Sequence, residues 1–167
     1  MRTSDRVLIT TRGVAQTRRL GRRLAALLLA GDVLLLQGDL GAGKTALAQG
    51  IGAGLGVMTP VASPTFVLLA RHDPPPGGGL PLFHADLYRL TESEQVEELA
   101  LAEQASGGVL LVEWPERGIE ALPAEHLLVR IEPGGAESER RFTFVAMGGR
   151  YRRILDALAA RRGALRV

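Results

Sequence analysis

Cysteine and asparagine are both absent from the 167 residues of this chain, and lysine occurs once. Without cysteine the chain can form no disulfide, use no thiolate nucleophile and hold no metal through sulfur. Aromatic residues make up only 4% of the sequence, so the core must be built from aliphatic side chains. The rest, with 46% hydrophobic and 23% charged residues, is ordinary globular composition. A chain of this length is predicted to form a single domain, residues 1–167, around one core.

A strong charge of either sign and a long apolar run are also lacking. The formal net charge is +2, which gives little support for a nucleic-acid partner. Residues 1–12 are polar and charged and do not read as a signal peptide. The longest apolar stretch, residues 24–36, is interrupted by Gly31 and Asp32 and is too short to span a bilayer. These features predict a cytoplasmic protein with no membrane attachment.

The single lysine, Lys44, is conspicuous because the other 19 basic residues are arginine. It completes the pattern G-x-x-x-x-G-K-T, which runs from Gly38 to Thr45 and matches a phosphate-binding loop. An apolar strand is predicted before this loop and a helix after it, which is the context that the loop requires. The glycines let backbone N–H groups point inward at a helix N-terminus. Lys44 would then contact the β- and γ-phosphates, and the Thr45 hydroxyl would bind Mg²⁺.

Hydrophobic patterns typical of strands and of helices alternate along the chain. This alternation predicts an α/β fold of the P-loop NTPase type, a three-layer sandwich with a mostly parallel central sheet and an antiparallel C-terminal strand pair. Strands are predicted at residues 7–10, 33–37, 65–70, 82–85, 109–112, 127–131 and 141–146, and helices at 14–30, 43 to about 54, 91–106 and 149–161. Glycines within the second helix, such as Gly50 and Gly54, are expected to weaken it.

Two carboxylates follow predicted strands at the sheet edge where α/β sites form. Glu113 follows an apolar strand and could hold Mg²⁺ through water or orient the attacking water. Asp86 follows the strand at 82–85 and could do either, so the sequence does not divide these two roles. His84 lies on the same strand face as Asp86, although a single histidine is more often structural. Arg89 would pair with Asp86, contact phosphate or stay solvated.

Four sequence blocks occur in a fixed order: residues 38–45, GDLGAGKT; 63–66, SPTF; 84–90, HADLYRL; and 112–118, VEWPERG. Together they resemble the TsaE (YjeE) family, the bacterial P-loop ATPase of threonylcarbamoyladenosine modification at tRNA position 37. The family's size and layout match the whole chain. The resemblance implies ATP and Mg²⁺ as cofactors and weak ATPase activity alone. It also implies action on the TsaD and TsaB proteins, with tRNA contacted indirectly or weakly.

The resemblance assigns roles to the residues in these blocks. Lys44 and Thr45 would bind the phosphates and Mg²⁺, and Glu113 would be an acidic residue beside the Mg²⁺ ion. Asp86 would be a catalytic candidate. Residues 63–66 would form a switch-like segment near the nucleotide. The catalytic set is therefore Lys44, Asp86 and Glu113, and the metal set is Thr45 and Glu113.

The resemblance also predicts where the rest of the nucleotide lies. In this family the segment before the first helix, here residues 11–14, is near the adenine. Ala46 stands where the family commonly has a second hydroxyl residue, which removes a side-chain contact to the α-phosphate but keeps the backbone N–H. The residues expected to contact ATP are Thr11, Val14, Asp39, Leu40, Gly41, Ala42, Gly43, Lys44, Thr45, Ala46 and Thr65.

Two other functions share the phosphate-binding loop. A small-molecule kinase of the nucleoside type would need an acceptor pocket and a lid, and the longest irregular stretch, residues 73–81, contains no arginine. A GTP-binding switch would use an Asn-Lys-x-Asp motif for guanine, which this chain cannot contain because it has no asparagine and no second lysine. The kinase remains the alternative prediction.

Overall fold

The structure is a computed structural model that describes residues 5–64 and 67–161 and the backbone of 164–166. One mixed sheet forms its centre. Its strand order is β3-β4-β5-β2-β6-β7-β1-β8. The strands are β1 (Arg6–Arg12), β2 (Val33–Gln37), β3 (Leu69–His72), β4 (Leu82–Asp86), β5 (Val109–Glu113), β6 (His126–Pro133), β7 (Glu139–Met147) and β8 (Ala164–Arg166). The strand predicted at 65–70 is therefore displaced toward β3, and β8 was not predicted.

The four strands at the centre of the sheet, β4, β5, β2 and β6, run parallel. β2 and β5 are apolar almost throughout because both of their faces are covered. β6 and β7 form the predicted antiparallel pair. The antiparallel part is larger than predicted, since β1 and β8 continue the sheet beyond β7 and β3 pairs with β4. The predicted α/β class is confirmed.

Helices cover the two faces of the sheet unequally, which gives the predicted three layers. On one face α1 (Val14–Ala25), α2 (Lys44–Leu55) and α5 (Gly149–Ala159) bury their apolar sides. On the other face lie the short helices α3 (Ser93–Glu98) and α4 (Leu101–Gln104) and two 3₁₀ turns, Pro115–Arg117 and Ile119–Ala121. Both cores are mainly leucine, valine and isoleucine, as the scarcity of aromatic residues predicted.

The parallel direction of the central strands brings their carboxyl ends to one edge of the sheet. The phosphate-binding loop follows β2, Asp86 ends β4, and Glu113 ends β5. In the strand register, Glu113 is paired both with Leu36 of β2 and with Asp86 of β4. The three sequence elements predicted to form the site therefore meet at this edge.

The glycines of α2 allow the backbone of α1 to approach it closely. A Cβ atom added at Gly21 would lie 2.6 Å from the carbonyl oxygen of Leu47, and one added at Gly50 would collide with the backbone of Arg18. Close backbone packing compensates for the low helix propensity of glycine, and α2 continues to Leu55. Only the low helix propensity of these glycines could be inferred from the sequence.

Two predicted helices differ in length from those observed. The single helix predicted at 91–106 is wrong, because α3 and α4 are separated at Ala100, whose φ of 45° lies outside the right-handed helical region. α1 ends at Ala25, five residues before the predicted end. Of the helices within residues 5–64 and 67–161, none has the length and apolar character needed to cross a membrane. The cytoplasmic location stays a prediction.

Candidate functional site: a phosphate loop with two carboxylates

The phosphate-binding loop joins the end of β2 to the first turn of α2. Gly41 and Gly43 have φ values of 77° and 115°, a conformation that side chains rarely tolerate, so the loop needs glycine at both positions. Lys44 is only 7% exposed. Its Nζ donates hydrogen bonds to the carbonyl oxygens of Gly38 and, at 3.0 Å, of Asp39. The ammonium is therefore held against the loop, next to the N-terminal amides of α2.

A pocket of about 620 Å³ opens beside this loop toward the end of β5. Its size is in the range of small-molecule sites. Its wall contains Leu40, Gly41, Ala42, Gly43, Lys44, Thr45, Ala46, Ser63, Pro64, Asp86, Tyr88, Arg89, Glu113 and Trp114. The structure thus brings the predicted loop residues and both predicted carboxylates to one pocket. Asp39 lines a second pocket, of about 640 Å³, on the β6 side of the loop.

Glu113 is an almost fully buried carboxylate at the end of β5, with 1% of its surface exposed. The Ser63 hydroxyl donates a hydrogen bond to its Oε2 at 3.0 Å, and His84 Nε2 lies 3.6 Å from the same oxygen. Burial by itself raises the pKa of the Glu113 carboxyl, but His84, the Ser63 hydrogen bond and the charge of Lys44 together lower it below the ordinary value of 4.5. Glu113 is therefore ionised at neutral pH.

Thr45 and Glu113 are placed to act as oxygen donors to Mg²⁺. The Thr45 hydroxyl lies 3.2 Å from the Ser63 hydroxyl, which in turn reaches Glu113. Glu113 Oε1 is buried and has no hydrogen-bond partner among the described residues, which is costly unless a ligand satisfies it. Hard oxygen donors of this kind suit Mg²⁺, which takes its remaining ligands from water and phosphate. The residues present therefore fit the expected cation.

No larger metal-binding group supplements this pair in the described ranges. Within residues 5–64 and 67–161 there is no cluster of three or more His, Asp or Glu side chains that could hold a metal ion by itself. A cation at Thr45 and Glu113 therefore fits the usual arrangement for Mg²⁺ at nucleotide sites, in which few protein ligands act together with substrate phosphates.

Asp86 is the in-register neighbour of Glu113, but its surroundings differ. It is half-buried, and its Oδ1 accepts the backbone N–H of Tyr88 at 2.9 Å. Burial raises the pKa of the Asp86 carboxyl above its ordinary value of 3.8, and the nearby Glu113 carboxylate raises it further, while the Tyr88 hydrogen bond opposes the rise. The two shifts are therefore opposite in direction: burial disfavours the charged form of Asp86, whereas the partners of Glu113 favour its charged form.

Aromatic side chains form one wall of the pocket. Trp114 has a left-handed backbone with a φ of 57°, which is strained for a residue other than glycine. Its ring lies 4.4 Å from Lys44 Nζ and 4.9 Å from the Tyr88 ring. The Arg117 guanidinium lies 5.7 Å from the Tyr88 ring. Attraction between the Trp114 ring and the ammonium helps to fix the direction of Lys44.

Thr11 and Val14, which were predicted to contact ATP, do not line this pocket. Thr11 is buried and its hydroxyl lies 2.7 Å from that of Thr17, whereas Val14 is 54% exposed at the start of α1. The glycine between them donates its N–H to the carbonyl oxygen of Ser138 at 2.9 Å, which joins this turn to the connection between β6 and β7. The adenine contact at residues 11–14 stays a prediction, and Thr65 lies outside the described residues.

A family model described as "Threonylcarbamoyl adenosine biosynthesis protein TsaE" matches residues 11–142. The chain belongs to the TsaE family. Proteins of this family function in the biosynthesis of threonylcarbamoyladenosine in tRNA. The family resemblance predicted from the four sequence blocks is therefore confirmed.

Curated relatives and a solved structure agree with this assignment. The tRNA threonylcarbamoyladenosine biosynthesis protein TsaE of Streptomyces coelicolor is 46% identical over 138 residues, which are 80% of this chain and 93% of the relative. The TsaE protein of Bacillus subtilis is 41% identical over 145 residues, 86% of this chain and 88% of the relative. The crystal structure of Bacillus subtilis YdiB matches with a TM-score of 0.78 at 36% identity, covering 93% of this chain and 95% of that one.

Ser63 is the residue of this site that the sequence analysis did not select, although it recognised the surrounding segment. Within residues 63–66, Thr65 was predicted to contact ATP. Among the described residues, the hydroxyl that reaches both Thr45 and Glu113 belongs to Ser63. The available signal in the sequence was a hydroxyl residue before a proline, in the loop that follows the helix of the phosphate-binding loop. Nothing in the local sequence tells which hydroxyl of this segment faces the site.

Proposed function

We propose that this chain is a Mg²⁺-dependent ATP-binding protein and a slow ATPase that acts on the TsaD–TsaB complex in threonylcarbamoyladenosine modification of tRNA. The observation that supports this most directly is the convergence of Lys44, Thr45 and Glu113 on one pocket at the phosphate loop. The TsaE names of the relatives support the pathway. The partner proteins and the indirect role of tRNA follow from the family resemblance.

The roles of the residues follow from their charges and surroundings. The loop amides and Lys44 bind the β- and γ-phosphates and neutralise the charge that develops during transfer. Thr45 and Glu113 hold Mg²⁺, which supplies further positive charge at these phosphates when bound. Asp86 orients the attacking water, since it lies in register with Glu113 on the pocket wall and burial raises the pKa of its carboxyl, which favours acceptance of a proton.

The rate without partners is expected to be low. Tyr88 and Arg89 line the pocket from exposed positions, so its mouth is open to solvent on that side. Exclusion of bulk water strengthens the electrostatic interactions on which phosphoryl transfer depends. A partner surface that covers the mouth would therefore accelerate hydrolysis.

Calorimetric titration with ATP and Mg²⁺ tests nucleotide binding. Lys44→Ala removes the ammonium from the phosphates and is expected to weaken binding by at least about tenfold, since a hydrogen bond to a charged group contributes roughly 1.5–3 kcal/mol. Arg152→Ala is the matched control, because Arg152 is a cation engaged with Asp5 at an exposed site away from the loop. Equal ATP affinity for the wild type and Lys44→Ala would contradict the proposal.

Turnover assays test the reaction and the partner. Phosphate release should be slow for the chain alone and should increase when TsaD and TsaB are added. Transfer of the phosphoryl group to a nucleoside or another small acceptor, with no release to water, would instead favour the alternative of a small-molecule kinase. Equal affinity for GTP and ATP would contradict the specificity for adenine.

A further inference from the structure

The Ser63 hydroxyl lies between the two residues that fit the Mg²⁺ site. Its Oγ is 3.2 Å from the Thr45 hydroxyl and 3.0 Å from Glu113 Oε2. The Ser63 hydroxyl donates its single proton to Glu113. The Thr45 hydroxyl must then donate its own proton to Ser63. This order leaves the lone pairs of the Thr45 oxygen available to a cation.

The same hydrogen bond makes the two oxygens of Glu113 different from each other. Oε2 is occupied by the Ser63 hydroxyl and has His84 Nε2 at 3.6 Å. Oε1 is buried, belongs to a residue of the pocket wall, and has no hydrogen-bond partner in the described part of the chain. A half-turn of the carboxylate would exchange two equivalent oxygens and restore the same arrangement, whereas a smaller rotation would break the contact with Ser63. Ser63 therefore fixes the plane of the Glu113 carboxylate and leaves one of its oxygens free to meet a ligand.

The position of Ser63 is set by the packing of its loop against α2. Val61, two residues earlier, is 6% exposed and belongs to the core on the α2 side of the sheet. Its side chain fits against Gly52, where an added Cβ would lie 2.6 Å from Val61 Cγ2. The loop is thus held beside the helix that carries Thr45, which keeps the Ser63 hydroxyl within reach of both partners.

We propose that Ser63 is a positioning residue of the cation site, which orients the Glu113 carboxylate and the Thr45 hydroxyl so that one free oxygen of each faces the same cation. This proposal rests on the proposed function as a Mg²⁺–ATP site. Ser63 acts through its two neighbours, so it should influence the contribution of Mg²⁺ to nucleotide binding and leave the contribution of Lys44 and the loop amides unchanged.

Calorimetry with ATP, in Mg²⁺ and in excess EDTA, tests this role without a turnover assay. In the wild type, Mg²⁺ should tighten ATP binding. Ser63→Ala should reduce this Mg²⁺ effect about tenfold, the size expected when a residue supporting a metal ligand is lost, with no change of affinity in EDTA. Ser63→Thr keeps the hydroxyl and should retain the Mg²⁺ effect, whereas the similarly shaped Ser63→Val should lose it. The Thr and Val pair decides the question if the alanine variant does not fold.

Thr59→Val is the matched control, since its hydroxyl contacts His72 Nδ1 at 2.6 Å outside the pocket. It should leave both affinities unchanged. A wild-type Mg²⁺ effect in Ser63→Ala and Ser63→Val would overturn the role of Ser63 and leave the proposed function intact. A wild-type chain that binds no ATP, or binds it without any Mg²⁺ effect, would overturn the proposed function and this inference together.

Discussion

The ends of β4 and β5 carry carboxylates at the same level of the sheet, yet their surroundings shift the pKa values of the two groups in opposite directions. Asp86 and Glu113 are direct partners in the strand register. The end of β5 is buried and supplies Glu113 with Ser63, His84 and the charge of Lys44, and its pKa is lowered. At the end of β4, burial and the neighbouring Glu113 carboxylate raise the pKa of Asp86, and one backbone hydrogen bond from Tyr88 only partly opposes the rise.

This difference shows that position at a strand end does not by itself define the role of a carboxylate. The more buried of the two is the one with the lowered pKa, because its partners stabilise the charge more than burial opposes it. A lowered pKa and an unpaired oxygen suit a metal ligand, whereas a raised pKa suits a group that accepts a proton from water. These neighbours support the proposed division of roles, with Glu113 at the cation and Asp86 at the attacking water.

The largest effect is expected at the end of β5. Glu113→Ala removes the carboxylate that faces the cation, so Mg²⁺-dependent ATP hydrolysis should fall by about 100-fold or more, the scale of losing a transition-state charge stabiliser. Phosphate release measured over a range of Mg²⁺ concentrations checks this. A variant that keeps the wild-type rate would remove Glu113 from the metal site.

A smaller effect is expected at the end of β4. Asp86→Asn keeps the shape and the acceptor for Tyr88 N–H but cannot accept a proton, so turnover should fall about tenfold at saturating Mg²⁺ and ATP. The affinity for Mg²⁺–ATP should change little, because Asp86 is not proposed to hold the cation. A loss of affinity equal to that of Glu113→Ala would mean that the two carboxylates share the metal.

The pH dependence of unfolding gives the finest distinction between the two carboxylates. Glu113, with a lowered pKa, contributes stability that is present above its ordinary value of 4.5 and is lost as the pH falls through its folded value. Asp86, with a raised pKa, contributes stability that is present below 3.8 and is lost as the pH rises through its folded value. The wild type should therefore gain stability relative to Glu113→Gln as the pH rises, and lose it relative to Asp86→Asn.

Denaturant unfolding of the wild type and these two variants, from about pH 3 to 7, measures both differences. The two stability differences should change with pH in opposite directions. Changes of the same sign would show that the carboxylates occupy similar surroundings in the folded protein. Binding experiments are not needed for this comparison, so it stands apart from any question about the cofactor.

The parts of the site that could be predicted from the sequence depend on short, local patterns. Lys44 and Thr45 belong to one contiguous motif, and Glu113 follows directly on an apolar strand. The network through Ser63 could not be predicted, because it joins side chains 18 and 50 residues apart along the chain. Its geometry depends on how the loop after α2 packs.

For the fold, too, local patterns could be predicted from the sequence and contacts between distant segments could not. The apolar runs of β2 and β5 predicted buried parallel strands, because both faces of such strands are covered. The pairing of β1 with β7 and β8 joins opposite ends of the chain, and local periodicity does not encode it. The break between α3 and α4 at Ala100 could not be predicted, because no glycine or proline marks it and an alanine takes the left-handed conformation there.

The contact between α1 and α2 has a mechanical consequence. At Gly21 and Gly50 the two helix backbones meet without intervening side chains, so no flexible side chains separate the helices there and could absorb a displacement. The first turn of α2 carries Lys44 and Thr45. A shift of this first turn would therefore move α1 with it, together with the exposed arginines Arg19 and Arg22.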